Sequence, residues 1–434
     1  MALWFLQKLA DLAKVGALKL ADQITNKLDP FEEFTRQVAL KYPEKLSVKA
    51  QRFEDDMVAR FSAFDGGMWE YRITTDPAVN DEGDQCIWHG IYTTLWALKY
   101  SVTHAPADLE RLRLSMKGMD LHQTAHGEPV RRVIRGTKKN PDGTLFVRDD
   151  VSNDGVTGHI CGIYFSWLYG DADVKAKAAI LARGVADELI NHNYALVLPN
   201  GNPTEFGALI NGLLTDPLRL ALCLCILKVA SKITGEPLYE QHYRKIERSY
   251  NAGGLAAYAK AKLVTIEKKY DSHRAAICLS ILADLEDDGS LKTSYQKGLL
   301  RTWAIEHKSG NSWIAFLSAR QNPLTATEIG QAKKTLLEFT VEKKLAGNLE
   351  TKNSDKGDQL SQYGVRLMKW GGQWVTSQPL PRWMSGTQDF IWQRSLYSAD
   401  NWMGNTIPDT YHNGGDFLVA YWLGRALGLI GADE

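Results

Sequence analysis

The chain has 434 residues, with 51 Lys+Arg balanced by 51 Asp+Glu and 44% apolar side chains. Zero formal charge, with no long run of like charge, excludes the electrostatic footprint of a nucleic-acid binder, and no segment of about 18 uncharged apolar residues exists to span a membrane. Length alone suggests about three domains of ~150 residues, a prior that repeat-built chains break.

Met1–Leu28 places Leu3, Leu6, Leu9, Ala10, Ala13, Ala17, Leu20 and Ile24 at helical spacing, while Lys8, Asp11, Lys14, Lys19 and Asp22 interrupt any signal-peptide core. The expectation is an amphipathic docking helix over residues 1–29, packed on the body or another subunit or attached to a membrane surface or a larger assembly, ahead of one domain over 30–434. Cys86, Cys161, Cys223, Cys225 and Cys278 are odd in number, form no CxxC pair and sit in apolar helical context, so they read as reduced core thiols. Without a signal peptide or a disulfide framework, the expected place is the cytoplasm or a particle assembled there.

Asp29-Pro30 ends the first helix. Phe31–Leu40 and Lys45–Phe64 read as a helix pair, and Met68–Thr74 as a short extended piece. The turn-forming stretch Asp76–Asp84 then leads into a helix that is apolar almost all round and runs to Thr103. Ile87, Ile91, Leu95 and Leu98 share its stripe, with Tyr92 and Trp96 beside them. Asp84 is placed as its N-cap, accepting from free backbone N–H groups. Leu109–Gln123 returns as a second helix. A long polar excursion follows, Thr124–Asp150, holding Arg131, Arg132, Arg135, Lys138, Lys139 and Arg148. Loops of this length inside a domain usually carry function.

The pattern then restarts. Ser152–His159 leads into Ile160–Tyr169, and Val174–His192 returns. Asn202–Gly207 leads into Ala208–Leu214 and Leu218–Thr234, and Leu238–Tyr250 returns. Tyr270–Arg274 leads into Ala275–Leu285, and Lys292–Glu306 returns. Gly310–Trp313 leads into Ile314–Arg320, and Ala326–Lys344 returns. Leu345–Tyr411 is rich in glycine and tryptophan, and Gly414–Leu429 is the last helix. The unit starts at Trp88, Gly158, Gly207, Arg274 and Trp313 lie ~40–70 residues apart, the spacing of a helical-hairpin repeat with loop insertions. The first helix of each unit is the more apolar and the second carries charge on one face, so the first is placed inside and the second outside. Six such hairpins, with the N-terminal pair against the last helix, close into a ring, and every polar lead then converges on one mouth.

That convergence defines the candidate site: Asp84, Trp88 and His89; Asp150, Asn153, Asp154 and His159; Asp271 and His273; Asn311 and Trp313; His412, Asn413 and Asp416. Each is explicable alone as a cap, turn or core residue; what singles the group out is its repetition at equivalent points. Paired carboxylates in an aromatic-lined hollow are the equipment of glycoside hydrolysis, one protonating the leaving oxygen and the other activating water or attacking. Trp69, Trp88, Trp313, Trp370, Trp374, Trp383, Trp392 and Trp402 offer flat faces for sugar C–H groups. No phosphate-binding G-x-x-x-x-G-K-[ST] loop, H-E-x-x-H helix or G-x-S-x-G elbow is present. His122 and His126 are spaced i,i+4 but lack a clear third ligand, so neither metal nor cofactor is expected.

The runs Gly83-Asp84-Gln85-Cys86-Ile87-Trp88-His89-Gly90-Ile91-Tyr92, Leu98–Thr103 and Ser152–Gly158 resemble the six-hairpin, (α/α)6-toroid glycosidase-like superfamily, and Asp416–Arg425 looks like its last inner helix. The resemblance covers most of Phe31–Leu429. It implies an all-α toroid with a carbohydrate-directed pocket at one end and acidic residues on the loops of the inner helices. The expected activity is glycoside hydrolysis of an oligo- or polysaccharide, with Asp84 and Asp154 as the acid/base pair and His89 and His159 as partners. Arg148 and Arg394 are expected to contact a polar or acidic sugar, alongside Trp88, Asn153, Trp313, Trp392, His412 and Asp416. Lyases and epimerases share related toroids, so a polysaccharide lyase or uronate-acting enzyme with a His or Tyr base is an alternative. A third is a non-catalytic structural or carbohydrate-binding component of a viral or cell-surface assembly, docked through residues 1–28.

Overall fold

The computed structural model describes residues 44–63, 68–69, 72–74, 84–124, 132–140, 142–210, 215–251, 270–307, 310–339, 345–346, 367–370, 373–376 and 410–434. Twelve helices account for most of them. In chain order they are α1 (Leu46–Arg60), α2 (Gln85–Thr103), α3 (Pro106–Thr124), α4 (Asn153–Tyr169), α5 (Ala172–Asn191), α6 (Pro217–Thr234), α7 (Pro237–Tyr250), α8 (Tyr270–Leu285), α9 (Gly289–Glu306), α10 (Ser312–Ala319), α11 (Ala326–Leu337) and α12 (Gly415–Ala426). The even-numbered helices pack side by side in the order α2, α4, α6, α8, α10, α12 and back to α2, closing a ring. Each odd-numbered helix lies outside against its hairpin partner, and α1 completes the sixth pair against α12. The protein is an all-α, (α/α)6 toroid.

Sequence explains the inner and outer roles. Every residue of α2 from Gln85 to Leu98 is buried, whereas α7 buries only Tyr239, Tyr243 and Ile246 and gives its other faces to solvent. Helices apolar all round have to sit in the middle. The closest inner contact, α2 on α4, depends on two glycines. A Cβ on Gly90 would meet the Gly158 carbonyl oxygen at 2.1 Å, and one on Gly158 would meet the Ile87 carbonyl oxygen at 2.3 Å. Backbone therefore touches backbone, which no other residue permits.

Caps set the hairpin corners. Asp171, Asp216, Asp288 and Asn311 accept backbone N–H bonds at the starts of α5, α6, α9 and α10, and Thr325 with Glu328 forms a capping box on α11. Gly235, at φ 71°, ends α6 in the left-handed conformation. The closing seam is polar as well as apolar. Glu54 of α1 accepts from Trp422 Nε1 of α12 at 2.8 Å and pairs with Lys99 of α2, while Phe53 stacks on Phe417 with centroids 4.9 Å apart. Burial pushes the Glu54 carboxyl up, against the pull of Lys99.

Short strands decorate one end: β1 (Ser62–Ala63), β2 (Met68–Trp69), β3 (Arg72–Thr74), β4 (Gly136–Lys139), β5 (Leu145–Arg148), β6 (Ala195–Val197), β7 (Pro203–Ala208), β8 (Leu345–Ala346), β9 (Leu367–Trp370), β10 (Gln373–Thr376) and β11 (Thr410–His412). Within the described part of the polar excursion, β4 pairs with β5 as a hairpin from Gly136↔Arg148 to Lys139↔Leu145. Pro203–Ala208, expected as a loop running into a helix, is strand β7 on β6, and the third inner helix starts only at Pro217. The outer helix from Ala326 ends at Leu337, short of Lys344. Helix starts also fall earlier than apolar periodicity alone marks them, because capping and first-turn residues are polar.

All five cysteines are buried and free. Among the described residues no helix is long and apolar enough to cross a membrane. The expected docking helix over 1–29, the helix at Phe31–Leu40, and Trp383, Trp392, Arg394 and Trp402 lie outside the described residues.

Candidate functional site

Antiparallel hairpins put the N-termini of the inner helices at one end of the ring. There the starts of α2, α4, α6 and α8 surround a cavity of about 750 Å³. It is lined by Asp84 before α2; Ser152, Asn153 and Asp154 at α4; Asp216, Leu218 and Arg219 at α6; and Asp271 and Arg274 on α8. Arg135 and Asp150, flanking the β4–β5 hairpin, and Thr204, Glu205 and Phe206 of β7 add the remaining walls with Leu198. Four helix N-termini aimed at one space favour negative charge there, which suits the aspartates they carry.

Two arginines organise those aspartates. Arg274 sits 2.6 Å from Asp154 and 2.6 Å from Asp271, and also donates to the Asn153 side chain. Arg135 sits 2.8 Å from Asp150 and 3.4 Å from Asp84. The two carboxylates singled out in the sequence are therefore held differently. Asp154 has a side chain 31% exposed and Asp84 one 46% exposed. Burial pushes the Asp154 carboxyl above its ordinary value, opposed by the Arg274 charge and reinforced by the charges of Asp84 and Asp271. Burial would also raise Asp150, but the hydrogen bond and charge of Arg135, with Arg148 behind, outweigh it and hold Asp150 low.

Asp84 occupies the N-cap position of α2 yet makes no cap hydrogen bond, contrary to the expectation, because its carboxylate turns to Arg135. On α4 the capping is done by Ser152, which accepts from Gly155 N at 3.3 Å, so Asp154 in the first turn is left to the cavity. Thr204 Oγ1 donates to Val151 O at 2.8 Å and ties β7 to the approach of α4. Beside it Phe206 is 50% exposed, a large apolar ring presented to the cavity.

Other expected site residues are placed elsewhere. His89 and His159, expected as catalytic partners, are fully buried and are not among the described residues lining this cavity. His89 Nε2 lies 2.8 Å from Ser115 O, and burial lowers its ring to about 4. His159 Nε2 lies 2.9 Å from Gln123 Nε2, and burial lowers it to about 3. One turn into a helix packed on all sides, the side chain points between helices rather than along them. Trp88 and Trp313 are buried in the same way and serve the core, not the cavity wall. Asp416 is buried at the start of α12, where it accepts from Phe417 N at 2.9 Å, and is not among the lining residues. Arg148 acts one step back, its Nε 3.2 Å from Asp150. His412 is in β11, paired with Arg72 of β3.

Arg135, Arg274, Glu205 and Phe206 line the cavity beyond the residues expected from sequence. Arg274 had a signal, Asp271 three positions before it on the same helical face. Phe206 has none, because the glycine- and proline-containing stretch around it does not mark β7 as a strand. The cavity carboxylates are largely taken by arginines. The transition-metal-type donors Cys86, His122 and His159 come together in the interior, outside the cavity lining.

No protein-family model matches this chain, and no curated protein does. Among solved structures the chain is similar to one described as "Bacteroides ovatus GH9", at 12% identity over 80% of this chain and 71% of that one, with a TM-score of 0.41.

Proposed function

We propose that the cavity at the N-terminal mouth of the toroid is the active site of a glycan-directed hydrolase. Asp154 acts as the proton donor, and Asp84 as the second carboxylate. The single observation behind this is that two carboxylates share one cavity in different surroundings: Asp154 is desolvated and pushed toward its protonated form, and Asp84 is more open to water. Such divergence is how one site runs acid and base roles together. As the bond between the anomeric carbon and the leaving oxygen breaks, Asp154 gives its proton to that oxygen. Asp84 takes a proton from the attacking water, or attacks the anomeric carbon itself. Phe206 offers its exposed face to the C–H side of a sugar ring.

A lyase needs a His or Tyr base in contact with substrate, and no described residue lining the cavity is either. The test is a panel of polysaccharides assayed for new reducing ends, with Asp84→Asn and Asp154→Asn beside the parent. Each substitution is expected to lower cleavage by about 100-fold or more while thermal unfolding stays nearly unchanged. If both variants cleave normally, the pair is wrongly assigned. Unsaturated uronate products in place of reducing ends would redirect the reading to elimination.

A further inference from the structure

Away from the cavity lining, the interior of the toroid brings together three side chains that no motif connects. Cys86 of α2, His122 of α3 and His159 of α4 are all fully buried, and the thiol sulfur and one nitrogen from each ring lie within 4.8 Å of one another. A tetrahedral zinc ion with ordinary Zn–S and Zn–N bonds holds its ligand atoms about 3.3–3.6 Å apart, so the trio needs to contract by only about an ångström.

Nδ1 of His122 and Nδ1 of His159 are buried and have no hydrogen-bond partner among the described residues. Two orphaned ring nitrogens in one apolar pocket each carry a desolvation cost that a bound ion removes. The opposite ring nitrogens face carboxamides, whose oxygens are able to accept an imidazole N–H. His122 Nε2 lies 3.3 Å from Gln85 Oε1, which is itself fixed by accepting from Thr137 N at 2.8 Å. That arrangement leaves the proton on Nε2 and a lone pair on Nδ1. His159 Nε2 faces Gln123, whose own Oε1 has no partner among the described residues.

We propose that Cys86, His122 and His159 form a buried binding site for a borderline-soft transition-metal ion, zinc in the first instance, that staples α2, α3 and α4 together. Thiolate with two imidazoles is a donor set that selects such an ion over calcium or magnesium. Binding displaces the Cys86 thiol proton to solvent, and at His159 the proton moves to Nε2. Gln123 then turns its carboxamide so that Oε1 accepts from that nitrogen, giving up its 3.2 Å bond to Leu181 O. Because Cys86 is two residues from Asp84, the staple also fixes the start of α2 at the cavity. This inference stands independently of the glycan reading.

The full chain, produced in zinc-supplemented medium, is assayed for metal by elemental analysis, then stripped with chelator and titrated with Co2+. The expected results are close to one equivalent of zinc per chain and, with cobalt, a thiolate-to-metal charge-transfer band that is absent in Cys86→Ser. Because serine closely matches cysteine in size, that variant should fold; should it not, the parent alone decides, its melting temperature falling on chelation and recovering with zinc. A metal-free protein that gives no charge-transfer band with Co2+, a band that persists in Cys86→Ser, or a parent whose melting is indifferent to chelator and zinc overturns the proposal.

Discussion

The guanidinium of Arg274, on α8, lies 2.6 Å from the carboxylate of Asp154, on α4, and so ties two inner helices together at the mouth of the cavity. It also lowers the affinity of Asp154 for its proton, against the effect of burial. Arg274→Met removes that opposing charge, so Asp154 should hold its proton to higher pH. If Asp154 is the proton donor, activity is lost as pH rises through its pKa, and the alkaline limb of the kcat/KM profile should move to higher pH in the variant. A limb that stays put or moves down assigns the donor elsewhere. The same change should cost about 1–3 kcal/mol of stability, since it leaves partly buried Asp154 and Asp271 without their cation.

Phe206 is exposed in the free protein and makes little contribution to the core. Phe206→Ala should therefore leave the melting temperature within about a degree or two, while raising KM for a polysaccharide severalfold, the loss of about 1 kcal/mol of aromatic contact. Steady-state kinetics on the parent and variant check this. An unchanged KM removes Phe206 from the substrate path.

The glycine contact between α2 and α4 predicts a contrast. Gly158→Ala places a methyl 2.3 Å from the Ile87 carbonyl oxygen, where only helix separation can relieve it. A loss of about 3 kcal/mol or more, or failure to fold, is expected in denaturant titration. Gly143→Ala, in the β4–β5 turn at φ 87° with nothing within 4 Å, should cost only about 1 kcal/mol from its backbone conformation.

Buried histidines predict how stability depends on pH. His89 is lowered to about 4 and His273 to about 3, in both cases first by burial. Their unfolded forms take a proton near pH 6.5, so below that value the unfolded chain binds more protons than the native one. Their full contribution is present above pH 6.5 and falls as pH drops toward the native values, by about 1.4 kcal/mol per pH unit for each ring. Urea midpoints followed from about pH 7.5 to about pH 5 should decline accordingly. His89→Gln, which keeps a donor for Ser115 O, should flatten the slope by one ring's share.

Much of this architecture was legible in the sequence. Helices apolar on every face, from Ile87 to Leu98 or Leu218 to Ala230, have nowhere to go but the interior, and their charged followers have to lie outside. Short connections then make antiparallel hairpins, and a closed ring of them brings every helix start to one end. Asp84, Asp150, Asn153, Asp154 and Asp271 meet in one cavity for that reason alone. What sequence could not decide was rotation. A residue one turn into a helix points wherever the packing turns it: His89 and Trp88 on α2, His159 on α4 and Trp313 on α10 are all buried in the core and are not among the residues lining the cavity.

The pairings that give the site its character were decided only by tertiary structure. Arg274 with Asp154, Arg135 with Asp84, and Cys86 with His122 and His159 each join different elements of the chain. Composition and local periodicity act within a few residues along the chain; these contacts exist only because the ring closes and brings its helices within a side chain's reach of one another.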